Sequence, residues 1–243
     1  MNDQTPVVVL VHGAFAESAS WNGVIENLQQ RNIDAIAVAN PLRGVARDAA
    51  YVRDVIAGIG KPVVLVGHSY AGFVITEAGA SNDAVVGLVY VNAFVPDHGE
   101  NAFGLSTSLP GSTLGDALNA YPVSSGGNEF VIKPELFHHQ FAADVPADQA
   151  ALMAATQRPV TEAALTESLP TQTPAWKTVP SWFVIGDQDL NIPIAVHRVG
   201  AERASSRGTR EIAGASHAIT VSQPVAVADM IVEAVTALTP VQV

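Results

Sequence analysis

The fold is decided by the stretch Val63-Val64-Leu65-Val66-Gly67-His68-Ser69-Tyr70-Ala71-Gly72. Its first residues are continuously apolar, which is typical of a strand buried on both faces of a sheet. The Gly-x-Ser-x-Ala pattern that follows, with helical residues behind it, predicts a sharp turn that presents the hydroxyl of Ser69. Gly67 and Ala71 supply the small neighbours that such a strained turn needs. A chance Gly-x-Ser in a loop would lack the flanking strand and helix, so Ser69 is the predicted nucleophile.

Working outward from this stretch, short runs rich in Val and Ile recur along the chain at strand length. The predicted strands are Val7–Val11, Ala35–Val38, Val63–Val66, Val85–Val91, Trp182–Ile185 and a weaker one at Thr209–Ile212. Helical periodicity lies between them, at Trp21–Leu28 with Ser20 as N-cap, at Val52–Ile59 and at Val225–Val235. Alternating strands and helices predict a doubly wound, mostly parallel α/β sheet.

The alternation breaks between residues 96 and 179, where Pro, Ser, Thr and Gly become more frequent. We interpret residues 1–95 and 180–243 as one α/β core, and residues 96–179 as a cap over the carboxyl edge of the sheet, where open α/β sheets bind ligands. Within the cap, Gly111–Gly127 is predicted as loop, and Pro134–Phe141 and Ala147–Thr156 as helices. The aromatic and aliphatic content of the cap favours a packed unit over a flexible surface excursion.

Three further motifs follow predicted strands. His12-Gly13-Ala14-Phe15 comes after the first strand, and in a fold with a nucleophile turn this loop carries a backbone donor for the oxyanion. The predicted pair of donors is the N–H of Ala14 and the N–H of Tyr70. His12 itself is interpreted as a brace of the loop. Gly214-Ala215-Ser216-His217 follows the last strand, and His217 is the predicted general base.

The acid that orients this base is expected after the strand at Trp182–Ile185, where Asp187 and Asp189 both occur. The spacing Gly186-x-x-Asp189-x-x-x-Pro193 resembles the usual spacing of the α/β-hydrolase fold, and this resemblance favours Asp189. Asp187 directly follows the end of the strand, where a carboxylate can accept from backbone amides of the turn.

The bulk composition excludes several classes of function. The chain has 243 residues with a formal net charge of −11, from 12 Lys and Arg against 23 Asp and Glu. This balance disfavours nucleic acid and anionic membranes as partners. The absence of cysteine excludes disulfides and thiolate catalysis. The residues before Pro6 have neither the basic start nor the apolar run of a signal peptide, so a cytoplasmic location is expected.

The remaining histidines form no metal-binding motif. We expect His68 to pack or hydrogen-bond locally, and His98 and His197 to lie on the surface. His138 and His139 of the cap are expected to be solvated, with contact to a substrate as the alternative. Neither a metal nor another cofactor is expected.

Taken together, these motifs resemble the α/β-hydrolase superfamily, in which the catalytic residues also occur in the order Ser, Asp, His. More narrowly, the chain resembles the plant methylesterases and hydroxynitrile lyases and their bacterial relatives. The resemblance rests on Val9–Ala14, Gly67-His68-Ser69, the cap segment Phe130–Pro159, Asp189–Pro193 and Ser216-His217. It implies a cofactor-free serine hydrolase that forms an acyl-enzyme on Ser69 and takes a small-molecule ester as substrate.

Two positions depart from the lyases of this branch. Those enzymes have Thr where this chain has Gly13, and Lys directly after the catalytic His where this chain has Ala218. The resemblance therefore favours hydrolysis of small, fairly apolar esters or lactones. The alternatives are a carbon–carbon hydrolase or hydroxynitrile lyase on the same fold, and a small-molecule receptor that keeps the triad but turns over slowly.

Overall fold

The structure is a computed structural model that describes residues 5–124 and 126–239. Its strands are, in chain order, β1 (Val7–Val11), β2 (Ala35–Val38), β3 (Val63–His68), β4 (Val85–Val91), β5 (Leu118–Pro122), β6 (Asn128–Ile132), β7 (Val160–Thr161), β8 (Ser181–Gly186) and β9 (Gly208–Ile212). Six of them form one sheet in the order β2-β1-β3-β4-β8-β9, and every neighbouring pair is parallel. The predicted fold class is confirmed, and the six predicted strands all lie in this sheet.

Helices cover both faces of the main sheet. The helices outside the cap are α1 (Asn22–Gln29), α2 (Val45–Ile59), α3 (Ala71–Ala78), α9 (Ile194–Arg203), α10 (Ile219–Ser222) and α11 (Pro224–Leu238). Successive strand residues point to opposite faces, so Val8 and Leu10 pack with α1 and α11, whereas Val9 and Val11 pack with α2 and α3. This double burial is why the central strands β1, β3, β4 and β8 are mainly apolar, whereas the edge strands β2 and β9 are partly exposed.

The entrance to α1 differs from the prediction. A 3-10 turn over Ser18–Trp21 precedes the helix, and the Ser20 hydroxyl donates to the carbonyl of Glu17 at 2.7 Å. Trp21, which immediately precedes α1, is already helical, with φ −95° and ψ −2°. An N-cap side chain acts from an extended residue, so the predicted Ser20 cap is wrong.

Between β4 and β8 the chain forms the remaining helices, α4 (Ala102–Ser106), α5 (Leu114–Ala117), α6 (Pro134–Phe141), α7 (Ala147–Thr156) and α8 (Glu162–Thr166), together with a 3-10 turn at Ala175–Lys177. The two predicted cap helices coincide with α6 and α7. We keep the name cap for residues 96–179, whose standing as a separate unit remains a prediction.

The predicted loop at Gly111–Gly127 is wrong in part, because this stretch contains α5 and β5; its Ser125 lies outside the described residues. Strand β5 pairs antiparallel with β6, which pairs antiparallel with β7. The pairing buries Ile132 and Val160 completely. The residues of β5, Leu-Asn-Ala-Tyr-Pro, have little strand propensity of their own. β5 therefore forms because β6, further along the chain, pairs with it.

Candidate active site

The strand-to-helix turn after β3 places Ser69 at the carboxyl edge of the main sheet. Ser69 has a φ of 57°, in the left-handed region, as the strained turn requires. Its N–H donates to the carbonyl of Asn92 at 3.1 Å, and its carbonyl accepts from the N–H of Gly72 at 3.0 Å. A Cβ on Gly72 would overlap the carbonyl oxygen of Phe94. Gly72 is thus needed because α3 runs directly against the chain that leaves β4.

Three predicted residues from different strand ends meet here. His217 Nε2 lies 2.9 Å from Ser69 Oγ, and His217 Nδ1 lies 2.7 Å from Asp189 Oδ2. His217 is 1% exposed and Asp189 5% exposed, so water does not compete for these contacts. The geometry is that of a nucleophile, a base and an orienting carboxylate.

The carboxylate of Asp189 is saturated with donors. Its Oδ1 accepts from the N–H groups of Asn191 and Ile192 at 2.8 and 2.9 Å. Burial acts to raise the pKa of this carboxyl, but the adjacent His217 and the hydrogen bonds from His197 and His217 hold the pKa below its ordinary value. Asp189 is therefore ionised at neutral pH and can stabilise a protonated His217.

Asp187, the competing acid, points elsewhere. Its Oδ1 accepts from the N–H of Gly214 at 2.7 Å and from the side chain of Gln188 at 3.1 Å. It ties the loop after β8 to the loop after β9, and Asp189 is the one that reaches His217.

The residues that carry the predicted oxyanion donors lie at the same cavity as Ser69. Ala14 and Tyr70 both line the cavity into which Ser69 opens. A Cβ on Gly13 would lie 2.5 Å from Ser69 Cβ and 2.7 Å from the carbonyl oxygen of His68. Only glycine allows the loop after β1 to approach the nucleophile so closely.

His12 supports this loop through hydrogen bonds of both its ring nitrogens. Its Nδ1 lies 2.9 Å from the carbonyl oxygen of Gly13, and its Nε2 lies 3.0 Å from the N–H of Asn40. Since the amide of Asn40 must donate, Nε2 accepts and Nδ1 carries the proton. Burial lowers the pKa of His12 to about 4, so the ring is neutral near pH 7. These contacts agree with its interpretation as a brace.

Two other buried polar residues were not singled out from the sequence. Asn92 follows β4, donates to the carbonyl of Ser216 at 2.9 Å and accepts from the N–H of Gly186 at 2.6 Å. Asp48 in α2 accepts from the hydroxyl of Tyr70 at 3.0 Å. A polar residue directly after a parallel strand is a signal that could have identified Asn92; nothing local identifies Asp48.

The prediction for His197 is wrong, because this residue is 2% exposed and its Nε2 lies 3.1 Å from Asp189 Oδ2. Helix α9 starts directly after the acid loop and folds back over it, which brings a side chain eight residues away onto the carboxylate. The polarity of histidine alone predicts an exposed position. His197 is buried because α9 packs over the loop that contains Asp189.

The other histidines agree with their predictions. The Nε2 of His68 lies 2.9 Å from the carbonyl oxygen of His217, and the ring packs between Trp21 and Phe141. His98, His138 and His139 are exposed. Among residues 5–124 and 126–239, no cluster of His, Asp and Glu could hold a metal ion.

A cavity of about 280 Å³ opens above Ser69. Its wall is mainly apolar, and the cap contributes much of it through α4, α5 and Leu165 of α8. Phe103 in α4 is 62% exposed and stands in the lining. No helix in the described part of the chain is long and apolar enough to cross a membrane.

Comparisons with known proteins agree with this architecture. The chain is 28% identical over 246 aligned residues to the alpha/beta hydrolase nvfD of Aspergillus novofumigatus, covering 93% of this chain and 95% of that protein. It is 43% identical over 112 residues to a carbendazim hydrolyzing esterase of Nocardioides sp., covering 40% of this chain and 46% of the esterase. The crystal structure of polyneuridine aldehyde esterase superposes with a TM-score of 0.80 at 19% identity, covering 95% of this chain and 99% of that one.

The family match spans nearly all the elements described above. Residues 8–230 match the family described as "Alpha/beta hydrolase family". This range runs from β1 to within α11, and it includes all three residues of the hydrogen-bonded chain at the site. The chain therefore belongs to the alpha/beta hydrolase family.

Proposed function

We propose that this protein is a carboxylic ester hydrolase that works through an acyl-enzyme on Ser69. The observation that carries the proposal is the continuous, buried hydrogen-bonded chain from Asp189 through His217 to Ser69. An isolated serine hydroxyl is a poor nucleophile, and a base held in this geometry removes its proton as it attacks.

The reaction proceeds in two steps. Ser69 Oγ attacks the ester carbonyl while His217 Nε2 takes its proton, and the N–H groups of Ala14 and Tyr70 hold the oxyanion. His217 then gives the proton to the departing alcohol, which leaves the acyl group on Ser69. A water molecule, deprotonated by the same imidazole, attacks the acyl-enzyme and releases the acid.

The substrates are small, neutral and fairly apolar esters or lactones. The cavity of about 280 Å³ suits a small ligand, and its wall is mainly apolar. The charged group among the described lining residues is the carboxylate of Asp116, which disfavours an anionic substrate. Relatives are named a carbendazim hydrolyzing esterase and a pyrethroid hydrolase, which supports ester-cleaving chemistry on this fold.

Ester hydrolysis is favoured over cyanohydrin cleavage at two positions. The space around Gly13 does not admit a Cβ, so a threonine there would displace Ser69. Ala218 is 1% exposed, and its N–H donates to the carbonyl of Phe141 at 2.8 Å. Position 218, directly after His217, thus offers no ammonium group to stabilise a cyanide leaving group.

The proposal is tested with Ser69→Ala and a short-chain p-nitrophenyl ester. Loss of a triad residue typically costs several powers of ten in kcat, so the variant should be inactive but should melt like the parent. Ser106→Ala is the matched control, because Ser106 lines the same cavity but its hydroxyl donates to the carbonyl of Phe103. It should retain activity within about threefold, as expected for a change outside the reacting groups.

The outcomes separate the competing functions. Steady turnover that Ser69→Ala abolishes supports the esterase. Activity of Ser69→Ala within tenfold of the parent would show that another group attacks. A single burst with a long-lived adduct would instead indicate the slow-turnover receptor, and robust cyanide release from mandelonitrile would indicate the lyase.

A further inference from the structure

His197 has features of a residue that serves the site without touching the substrate. It lies in α9, is 2% exposed, and its Nε2 is 3.1 Å from Asp189 Oδ2. It is not among the residues that line the cavity above Ser69. Burying an imidazole is unfavourable unless its polar atoms find partners, and the partner here is the carboxylate that orients the base.

The protonation pattern follows from the donors around this carboxylate. Oδ1 accepts two backbone N–H groups, from Asn191 and Ile192. Oδ2 lies within hydrogen-bonding distance of two ring nitrogens, His217 Nδ1 and His197 Nε2. An ionised carboxylate can only accept. Both nitrogens therefore carry protons, and the Nε2 of His217 is left bare where it faces Ser69.

We propose that His197 is a positioning residue of the triad, which holds the Asp189 carboxylate in place and withdraws part of its negative charge from His217. This inference rests on the proposed function. The donated hydrogen bond satisfies one lone pair of Oδ2 and so fixes the direction in which the carboxylate meets His217. It also moderates how strongly the carboxylate favours the imidazolium form of His217.

Loss of the His197 donor should shift the acid limb of kcat/KM to higher pH. Without the donor from His197, Asp189 presents more negative charge to His217, and the protonated imidazole becomes more favourable. The base is then neutral only at higher pH, so the acid limb of kcat/KM moves upward. A purely structural role would scale the rate without moving this limb.

The other titratable groups around His217 are the same in every variant. His68 of β3 packs against the ring with centroids 4.7 Å apart, and burial lowers the pKa of His68 to about 3. His12, behind it, is likewise neutral near pH 7. From the cap, the carboxylate of Asp144 accepts from the N–H of Ser216 at 3.2 Å. A shift between variants therefore reports the His197–Asp189 contact.

The experiment compares His197→Leu, which removes the donor at similar volume, with His197→Gln, which retains an N–H donor. His197→Leu should lower kcat by about tenfold or more, with a much smaller change in KM, as for loss of a residue that orients a reacting group. Its acid limb should move up by about half a pH unit. His197→Gln should recover most of both effects. Val196→Ala, which shortens a buried neighbour in α9, should lower stability without moving the limb.

A second readout does not depend on turnover. The ring N–H proton of His217 that is bound to Asp189 should give a downfield NMR signal, and this signal should move in His197→Leu and return in His197→Gln. An unchanged signal together with an unmoved acid limb would overturn the inference, as would a Gln variant that behaves like Leu. If the parent protein hydrolyses no ester, the proposed function fails, and the NMR comparison alone decides the role of His197.

Discussion

The carboxyl edge of the main sheet and the cap that covers it are built in different ways. At the sheet edge, loops are held by buried polar contacts, such as those of Asn92 and His12 with neighbouring backbone. In the cap, large side chains remain exposed, among them Phe103 at 62% and Leu152 at 69%. The residues of the sheet edge are thus fixed by buried polar partners, whereas the cap presents apolar side chains to the cavity above Ser69 and to solvent.

Many contacts join the two regions, and some of them lie next to the predicted triad residues. Gln140 of α6 donates to the carbonyl of Leu190 at 3.0 Å and to Asn191 Oδ1 at 2.8 Å, beside the acid. The carbonyl of Phe141 accepts from the N–H of Ala218, beside the base. We therefore expect changes at the sheet edge to act on the chemical step, and changes in the cap to act on substrate choice and stability.

The largest effect on kcat is expected in the loop after β8, which contains both Asp187 and Asp189. Asp189→Asn should lower kcat by up to about 10⁴-fold, as the corresponding change in a serine protease triad does, because an amide favours the wrong tautomer of the base. Asp187→Asn weakens the contacts to the Gly214 N–H and to the side chain of Gln188, and should lower stability by about 1 kcal/mol with little kinetic effect. Kinetics and thermal melts on both variants measure this, and an inactive Asp187→Asn with an active Asp189→Asn would reverse our assignment.

Substitution of one glycine at the sheet edge and one in the cap compares the two regions directly. Gly13→Ala should lower kcat/KM by about 10²-fold or more, because the new Cβ displaces the nucleophile and a loop that carries an oxyanion donor. Gly115→Ala in the cap meets no atom within 4 Å and should leave kcat nearly unchanged. Steady-state kinetics on a p-nitrophenyl ester test both, and similar losses in the two variants would contradict the contrast between edge and cap.

The junction between the regions should respond more weakly. Gln140→Leu leaves the Leu190 carbonyl and Asn191 Oδ1 without this donor, at a cost of about 1–3 kcal/mol in the free energy of unfolding. Gln149→Leu, the same change on an exposed cap position, should cost less than about 0.5 kcal/mol. Urea unfolding measures both values. Equal stability of the two variants would mean that Gln140 does not couple the cap to the acid loop.

Near neutral pH the smallest effect is that of His68, and it concerns acid stability. His68 is buried neutral with its pKa lowered to about 3, whereas in the unfolded chain a histidine protonates near pH 6.5. The unfolded state therefore binds more protons, and His68 contributes a loss of about 1 kcal/mol per pH unit as the pH falls below about 6.5. His68→Gln should flatten this slope, whereas His139→Gln, on an exposed cap residue, should not. Melting temperatures between about pH 7 and pH 4 test it, and parallel curves for all three proteins would rule out the effect.

The parallel sheet, and the places where polar residues follow its strands, could be predicted from the sequence. Continuous apolar runs mark the central strands because both faces of those strands are buried. The predicted ranges of β1, β2 and β4 coincide with the structure residue for residue. Parallel strands end at one edge, so Ser69, Asp189 and His217 were expected together there, and the structure brings them within hydrogen-bonding distance. Their catalytic roles remain predictions.

The distant residues that support those groups could not be predicted, because they depend on how the helices and loops pack in three dimensions. The His197 ring lies on Asp189 because α9 folds back over the acid loop, and Asp48 meets Tyr70 because α2 packs against α3. Strand β5 exists because β6 is available to pair with it. Each of these contacts joins segments whose own sequences are compatible with either a buried or an exposed position. A hydrogen bond between two such segments forms only where the fold brings them together. A local sequence pattern carries no information about which distant segment will lie beside it.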